Sequence, residues 1–202
     1  MIFEKKLEMK KAYFLLLTIL LNFTSFAQNN DSPYETDLVK DGIFITTGLG
    51  LNVLGVLLIQ EKDALTETKL NNLSKEDIWK VDRWAAGNYS ERANSDSYIP
   101  MFGSFALPVV LMLSKNERSH AGQISVLFVE SMATTGALFT ITAALVQKSR
   151  PLVYNTSIPV EERIDSDEQR SFFAGHTAAT AAASFLLLKF IMIFIPIQTG
   201  SQ

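Results

Sequence analysis

The chain has 202 residues, enough for one domain with a real core. A net charge of −3 gives no basic surface for nucleic acid, and the absence of cysteine excludes disulfides and thiolate metal sites. Hydrophobic residues at 48% leave open both a soluble helical bundle and a membrane protein, so the decision falls to the arrangement of those residues along the chain.

The first segment reads as an export signal. From Met9, the run MKKAYFLLLTILLNFTSFAQ has Lys10 and Lys11 ahead of an apolar stretch, and Ser25 and Ala27 supply the small residues before a cleavage point at Gln28. Residues 1–27 are therefore expected to be a signal peptide, and 28–202 the helical domain. An uncleaved membrane anchor is the competing reading of the same stretch.

Four apolar runs follow, predicted as helices at Gly42 to Ile59, Tyr98 to Leu113, Ala121 to Gln147 and Ser171 to about Ile197. They are continuous, lack a two-residue alternation and approach the length of a bilayer span, which argues helix over strand. The expected fold is all-α: an antiparallel helical bundle of transmembrane type. The first run carries Gly48, Gly50 and Gly55, which let a neighbouring helix approach closely.

Between the first two runs lies a polar segment in which Ser74 is placed to cap a helix, with Glu76 and Asp77 in its first turn. Trp79 and Trp84 there are expected to pack against the bundle, with a membrane-interface belt as the alternative. The third run contains one acid, Glu130, for which an interhelical hydrogen bond or ion pair is a sufficient role.

The chemistry gathers around the loop joining the third and fourth runs. The stretch VQKSRPLVYN stops the third helix at Pro151 and leaves Lys148 and Arg150 at its C-terminal end. After the charged loop, SFFAGHTAAT opens the fourth helix with Ser171 as its cap and Gly175 and His176 in the opening turns. Unpaired amides and the helix dipole favour an anion at such a start, and Arg150 adds a planar cationic fork suited to phosphate.

KSRP at 148–151 and SFFAGHTA at 171–178 resemble the first two of three signatures of the type 2 phosphatidic acid phosphatase family, within the acid phosphatase and vanadium haloperoxidase superfamily. The resemblance implies an antiparallel helical bundle, usually in the membrane, that hydrolyses phosphate monoesters or pyrophosphates, typically of lipids, without a metal or other cofactor. It implies that Arg150 grips phosphate with Lys148 as a nearby cation, that the Gly175 amide holds the oxyanion, and that His176 is the general acid toward the leaving group. Membrane lipids and a lipid phosphate or other phosphate ester are then the expected partners. The implied location is a bacterial inner membrane with a periplasmic site, or the periplasm.

The departures from the family pattern are specific. The signature lysine falls at position 143, which is Ala143; Phe173 and Ala174 stand where the family has Pro-Ser. The third signature, which supplies the nucleophilic histidine and its carboxylate, is absent. The other histidine, His120, is expected to be a surface residue. The Ile-rich tail KFIMIFIPIQTGSQ permits a back-translation that, read from the third base of the Lys189 codon, gives VYNDFHPDSNWKP, so a frameshift or truncation is expected. The alternatives are a vanadium-dependent haloperoxidase-like protein and a non-catalytic membrane protein with a residual anion pocket. Cleavage at the signal has a direct check: N-terminal sequencing of the exported protein is expected to begin at Gln28, and recovery of Met1 or Met9 from membrane fractions would restore the anchor.

Overall fold

A computed structural model describes residues 35–113 and 118–194. The expected signal peptide and the last residues of the Ile-rich tail lie outside the described residues. The fold is all-helical, built on four principal helices: α1 (Leu38–Gln60), α4 (Tyr98–Leu111), α5 (Ala121–Leu145) and α7 (Gly175–Phe194). Short helices α2 (Glu67–Asn71), α3 (Glu91–Asp96) and α6 (Val160–Arg163) decorate the connections.

Helix α1 begins where Asp37 accepts hydrogen bonds from the backbone N–H groups of Val39 (3.0 Å) and Lys40 (2.8 Å), satisfying donors that have no partner within the helix. It packs most extensively on α5, through small residues. A Cβ on Gly48 would lie 3.0 Å from that of Ala133, and one on Gly55 would be driven into Thr140, backbone included. Between these two points Asn52 donates from Nδ2 to the carbonyl of Ala133 at 2.8 Å, over Gly136. The contacts advance in the same direction on both helices, so α1 and α5 run parallel. Just past α1, Lys62 Nζ reaches the carbonyls of Ala143 (2.7 Å) and Val146 (2.8 Å) at the end of α5, and of Gln169 (2.8 Å).

Helix α4 runs back and packs chiefly on α7. Phe105 of α4 meets Phe128 of α5 edge-on at 6.3 Å, and the start of α4 meets the start of α7 where Ser97 touches His176. The principal helices therefore alternate in direction along the chain. This geometry brings both polar segments, 61–97 and 146–174, to one end of the bundle.

Three helices, α1, α5 and Gly175–Met192 of α7, are long and apolar enough to cross a membrane by length and composition. Helix α4, at 14 residues, extends roughly 21 Å and falls short of a bilayer's hydrocarbon core of about 30 Å. The outward face of α1 is apolar, with Val39, Ile43, Phe44, Val53 and Leu57 all exposed, as a lipid-facing surface requires. The first apolar run is thus a full-length helix that starts at Leu38, four residues before Gly42.

Four expectations are corrected. Helix α5 ends at Leu145, so Lys148 and Arg150 lie beyond it in extended chain. Helix α7 starts at Gly175, four residues after Ser171, whose backbone N–H instead donates to the carbonyl of Lys148. His120 is buried at the N-terminus of α5, where the packing of that helix encloses it. Trp79 and Trp84 are exposed, because the turn that bears them is braced from its other side. Ser74 does cap as expected, but over a single 3-10 turn at Lys75–Asp77.

The packing separates the glycines of α1 by role. Gly55 faces Thr140, whereas a Cβ on Gly50 would meet nothing within 4 Å. Gly55→Ala is expected to destabilise the detergent-solubilised chain by about 1–3 kcal/mol through overpacking. Gly50→Ala is expected to be neutral or stabilising by up to about 1 kcal/mol. Thermal unfolding followed by circular dichroism separates the two, and equal effects would contradict the α1–α5 contact.

Candidate functional site

The site region is organised by backbone pairing. Val146 turns extended as α5 ends, and Arg150 stays extended (φ −70°, ψ 157°) because a residue preceding proline is sterically kept from helical geometry. Extended chain exposes its amides to a partner, which is the segment just before α7. Lys148 and Arg170 form a parallel bridge: Lys148 N–H donates to Gln169 O at 3.3 Å and Ser171 N–H to Lys148 O at 2.9 Å. Arg150 N–H donates to Glu168 O at 2.8 Å, and Ser149 Oγ to Gln169 Oε1 at 2.9 Å. The stretch 148–150 is thus paired with 168–171, the segment that leads into α7, while Gly175 and His176 line neither of the cavities that hold Lys148 and Arg150.

Their side chains take separate partners. Arg150 Nη1 lies 3.4 Å from Glu168 Oε1, a loose single-point pair, while Lys148 Nζ holds Asp82 Oδ2 at 2.6 Å. Arg150 lines a cavity of about 440 Å³ shared with Asn94, Glu91, Glu162, Asp165 and Glu168. One guanidinium among so many carboxylates gives this cavity an acidic character, so an anion must compete with Glu168 for Arg150. Lys148 lines a second cavity, of about 270 Å³, with Asp82, Tyr154, Ser171, Phe172 and Phe173.

Gly175 opens α7 for a packing reason. A Cβ there would stand 3.0 Å from two carbons of the Phe139 ring. Phe173, in a left-handed conformation (φ 54°), stacks edge-on to that ring at 5.5 Å and turns the chain into the helix. The first bond of α7 runs from Ala178 N–H to Ala174 O, so the amides of Gly175, His176 and Thr177 have no acceptor within the helix. That is the donor set expected at an anion-binding helix start.

His176 packs against the Tyr98 ring, 4.3 Å between centroids, and its Nδ1 lies 2.8 Å from Ser97 Oγ. Ser97 has one hydroxyl proton and donates it to Asn94 O at 2.6 Å, so it accepts from His176 Nδ1–H. This assignment leaves Nε2 as the reactive nitrogen. Ser97 and Tyr98 were not legible as site residues, since they lie 79 and 78 positions from His176 and share no motif with it. Asn94 links the two halves: it accepts from Ser97 and lines the Arg150 cavity. Among the described residues, no cluster of three or more His, Asp or Glu is placed to hold a metal.

Compared with known proteins, no family model, curated protein or solved structure matches the chain. The geometry must therefore be interpreted on its own chemistry.

Burial raises the Glu168 carboxyl above its ordinary range, and the opposing pull of Arg150 does not cancel it. As pH falls through that raised value Glu168 becomes neutral and its hold on Arg150 weakens. Sulfate, whose charge is constant over this range, is expected to bind more tightly as pH falls. Glu168→Gln is expected to bind sulfate about 5–10-fold more tightly near neutrality, by roughly 1–1.4 kcal/mol, with a flatter pH profile. Isothermal titration checks both, and an unchanged affinity and slope in the variant would show that Glu168 does not compete for Arg150.

Proposed function

We propose that the chain is a membrane protein of the phosphatase type named above, binding the phosphate of a monoester or pyrophosphate, typically carried by a lipid such as a phosphatidate or polyprenyl phosphate. The observation that supports this reading is the backbone pairing of 148–150 with 168–171, which ties the segment bearing Arg150 to the segment that leads into the amide-bearing start of α7. Arg150 supplies a planar fork for two phosphate oxygens once Glu168 yields it. The amides at 175–177 favour the remaining negative charge. His176, with Nδ1–H committed to Ser97, keeps Nε2 for a transferable proton, the position that a general acid toward a leaving oxygen needs.

The missing component is the nucleophile. In the family the two motifs resemble, a second histidine forms a bond to phosphorus; here His120 is buried at the start of α5, the opposite end of that helix from Lys148 and Arg150. Holding phosphate without an attacking group stabilises the ground state and leaves the chemical barrier largely in place. With His120 and His176 as its two histidines, the chain is therefore read as a phosphate binder without an attacking histidine. The engagement of Arg150 by Glu168 also favours the second reading, a non-catalytic membrane protein with a residual anion pocket.

The test separates binding from chemistry. The full chain is expected to bind inorganic phosphate, and Arg150→Gln to lose about 10–100-fold in affinity, the worth of a charged hydrogen-bonding group. Its hydrolysis of phosphatidate in mixed micelles is expected to be no faster than that of His176→Ala. Absence of phosphate binding would overturn the phosphate site, and robust His176-dependent hydrolysis by the 202-residue chain would reveal a nucleophile elsewhere.

A further inference from the structure

Trp79 and Trp84 are the two tryptophans in the sequence, and they stand 74% and 79% exposed with Val81, 56% exposed, between them. Aromatic side chains of this size are ordinarily highly buried, so two held out on one short turn imply an apolar neighbour. The turn itself is braced. Arg83 donates from Nη2 to the carbonyls of Glu76 (2.6 Å) and Ile78 (3.2 Å), and Asp82 is paired with Lys148. Further along, Gly87, at φ 90°, donates its N–H to Pro151 O at 2.8 Å, and Asn155 Nδ2 returns a bond to Gly87 O at 3.0 Å.

These bonds fix the level at which the tryptophans lie along the bundle. Lys148 follows the end of α5 by three residues, a reach of at most about 11 Å. Helices α1 and α5 have 23 and 25 residues, so they extend roughly 35 and 37 Å. Both exceed the hydrocarbon core of about 30 Å, while a bilayer with its headgroups spans about 40–45 Å. If α1 and α5 cross a bilayer, their last turns, and the turn pinned beside them, fall in the headgroup layer. That layer is where an indole, with its apolar body and single N–H donor, is most at home.

We infer that Trp79, Val81 and Trp84 form a foot immersed in the lipid headgroup layer, at the end of the bundle where α1 and α5 terminate. Its occupant is the bilayer interface, continuing the lipid-facing surface of α1. Exposed Lys75 and Lys80 flank the foot and suit headgroup phosphates. The foot also sets the depth of the 270 Å³ cavity, since Ile78, Asp82 and Ala85 line it from the same turn.

Because Trp79 and Trp84 are the only fluorophores of their kind, intrinsic tryptophan emission reports on this turn alone. The full chain is reconstituted in phosphatidylcholine vesicles, with lipids brominated either near the carbonyl end or deep in the acyl chain. Emission is expected to be blue-shifted relative to the urea-denatured chain, quenched most by the shallow bromines and weakly by aqueous iodide. Trp79→Phe and Trp84→Phe, each checked for native helicity, are expected to retain lipid quenching of the remaining indole. Water-like emission with strong iodide quenching and no response to bromolipid would overturn the inference, as would strongest quenching by the deep bromines. No phosphate ester enters the experiment, so its outcome is independent of the proposed activity.

Discussion

Lys62 holds three parts of the molecule together. Its ammonium donates to two carbonyls at the end of α5 and to Gln169, so a single side chain joins the end of α1, the end of α5 and the strand-like segment leading to α7. The last carbonyls of a helix have no intrahelical donor, and the helix dipole places partial negative charge there. A cation answers both demands. Burial, with help from the nearby charge of Arg170, pushes the Lys62 pKa down, and the three carbonyl dipoles oppose that tendency by favouring the charged form. Each hydrogen bond to a charged group is worth about 1.5–3 kcal/mol. Removing the ammonium would take the donor from the Ala143 and Val146 carbonyls and leave Gln169 O only its bond from Lys148 N–H, at the point where the site is built.

From that junction the local geometry follows in steps. With the end of α5 capped, the chain leaves in extended form, Pro151 keeps Arg150 extended, and the exposed edge of 148–150 pairs with 168–171. The pairing places the start of α7, and Phe139 beneath Gly175 fixes the angle at which that helix departs. His176 is then delivered to Ser97, which chooses its tautomer. Polar groups on four different segments are thus positioned by contacts that are themselves largely backbone. The site's arrangement rests on main-chain geometry more than on long flexible side chains.

Much of the fold was legible in the sequence because apolar runs of these lengths have few other uses. The four helices lie within a few residues of where hydropathy places them, and Ser74 caps as its spacing suggests. What could not be read was which polar groups meet. Glu168 is one acid among several in EERIDSDEQR, and nothing local distinguishes it as the partner of Arg150. Ser171 is a good capping residue by type, yet its amide was taken by a bridge whose other half lies 23 residues earlier. Lys62 follows α1 as any solvent-facing lysine would. The exposure of Trp79 and Trp84 depended on a brace formed by Arg83, which composition alone does not disclose.

The bridge between Lys148 and Arg170 divides the connection from α5 to α7 into a fixed base and a free excursion. Residues 152–167 leave and re-enter at points already clamped, held along the way by Arg163 Nε to Val153 O at 2.8 Å and Leu65 N–H to Ile164 O at 2.9 Å. Closing a longer loop across a fixed base costs little, about 0.6 kcal/mol for each doubling of its length. Evolution or an engineer can therefore lengthen, shorten or recompose this excursion while Arg150 and the start of α7 keep their register. Because Glu162, Asp165 and Asp167 project from it into the Arg150 cavity, the same freedom makes the excursion an adjustable wall, able to change what the cavity admits without rebuilding its floor.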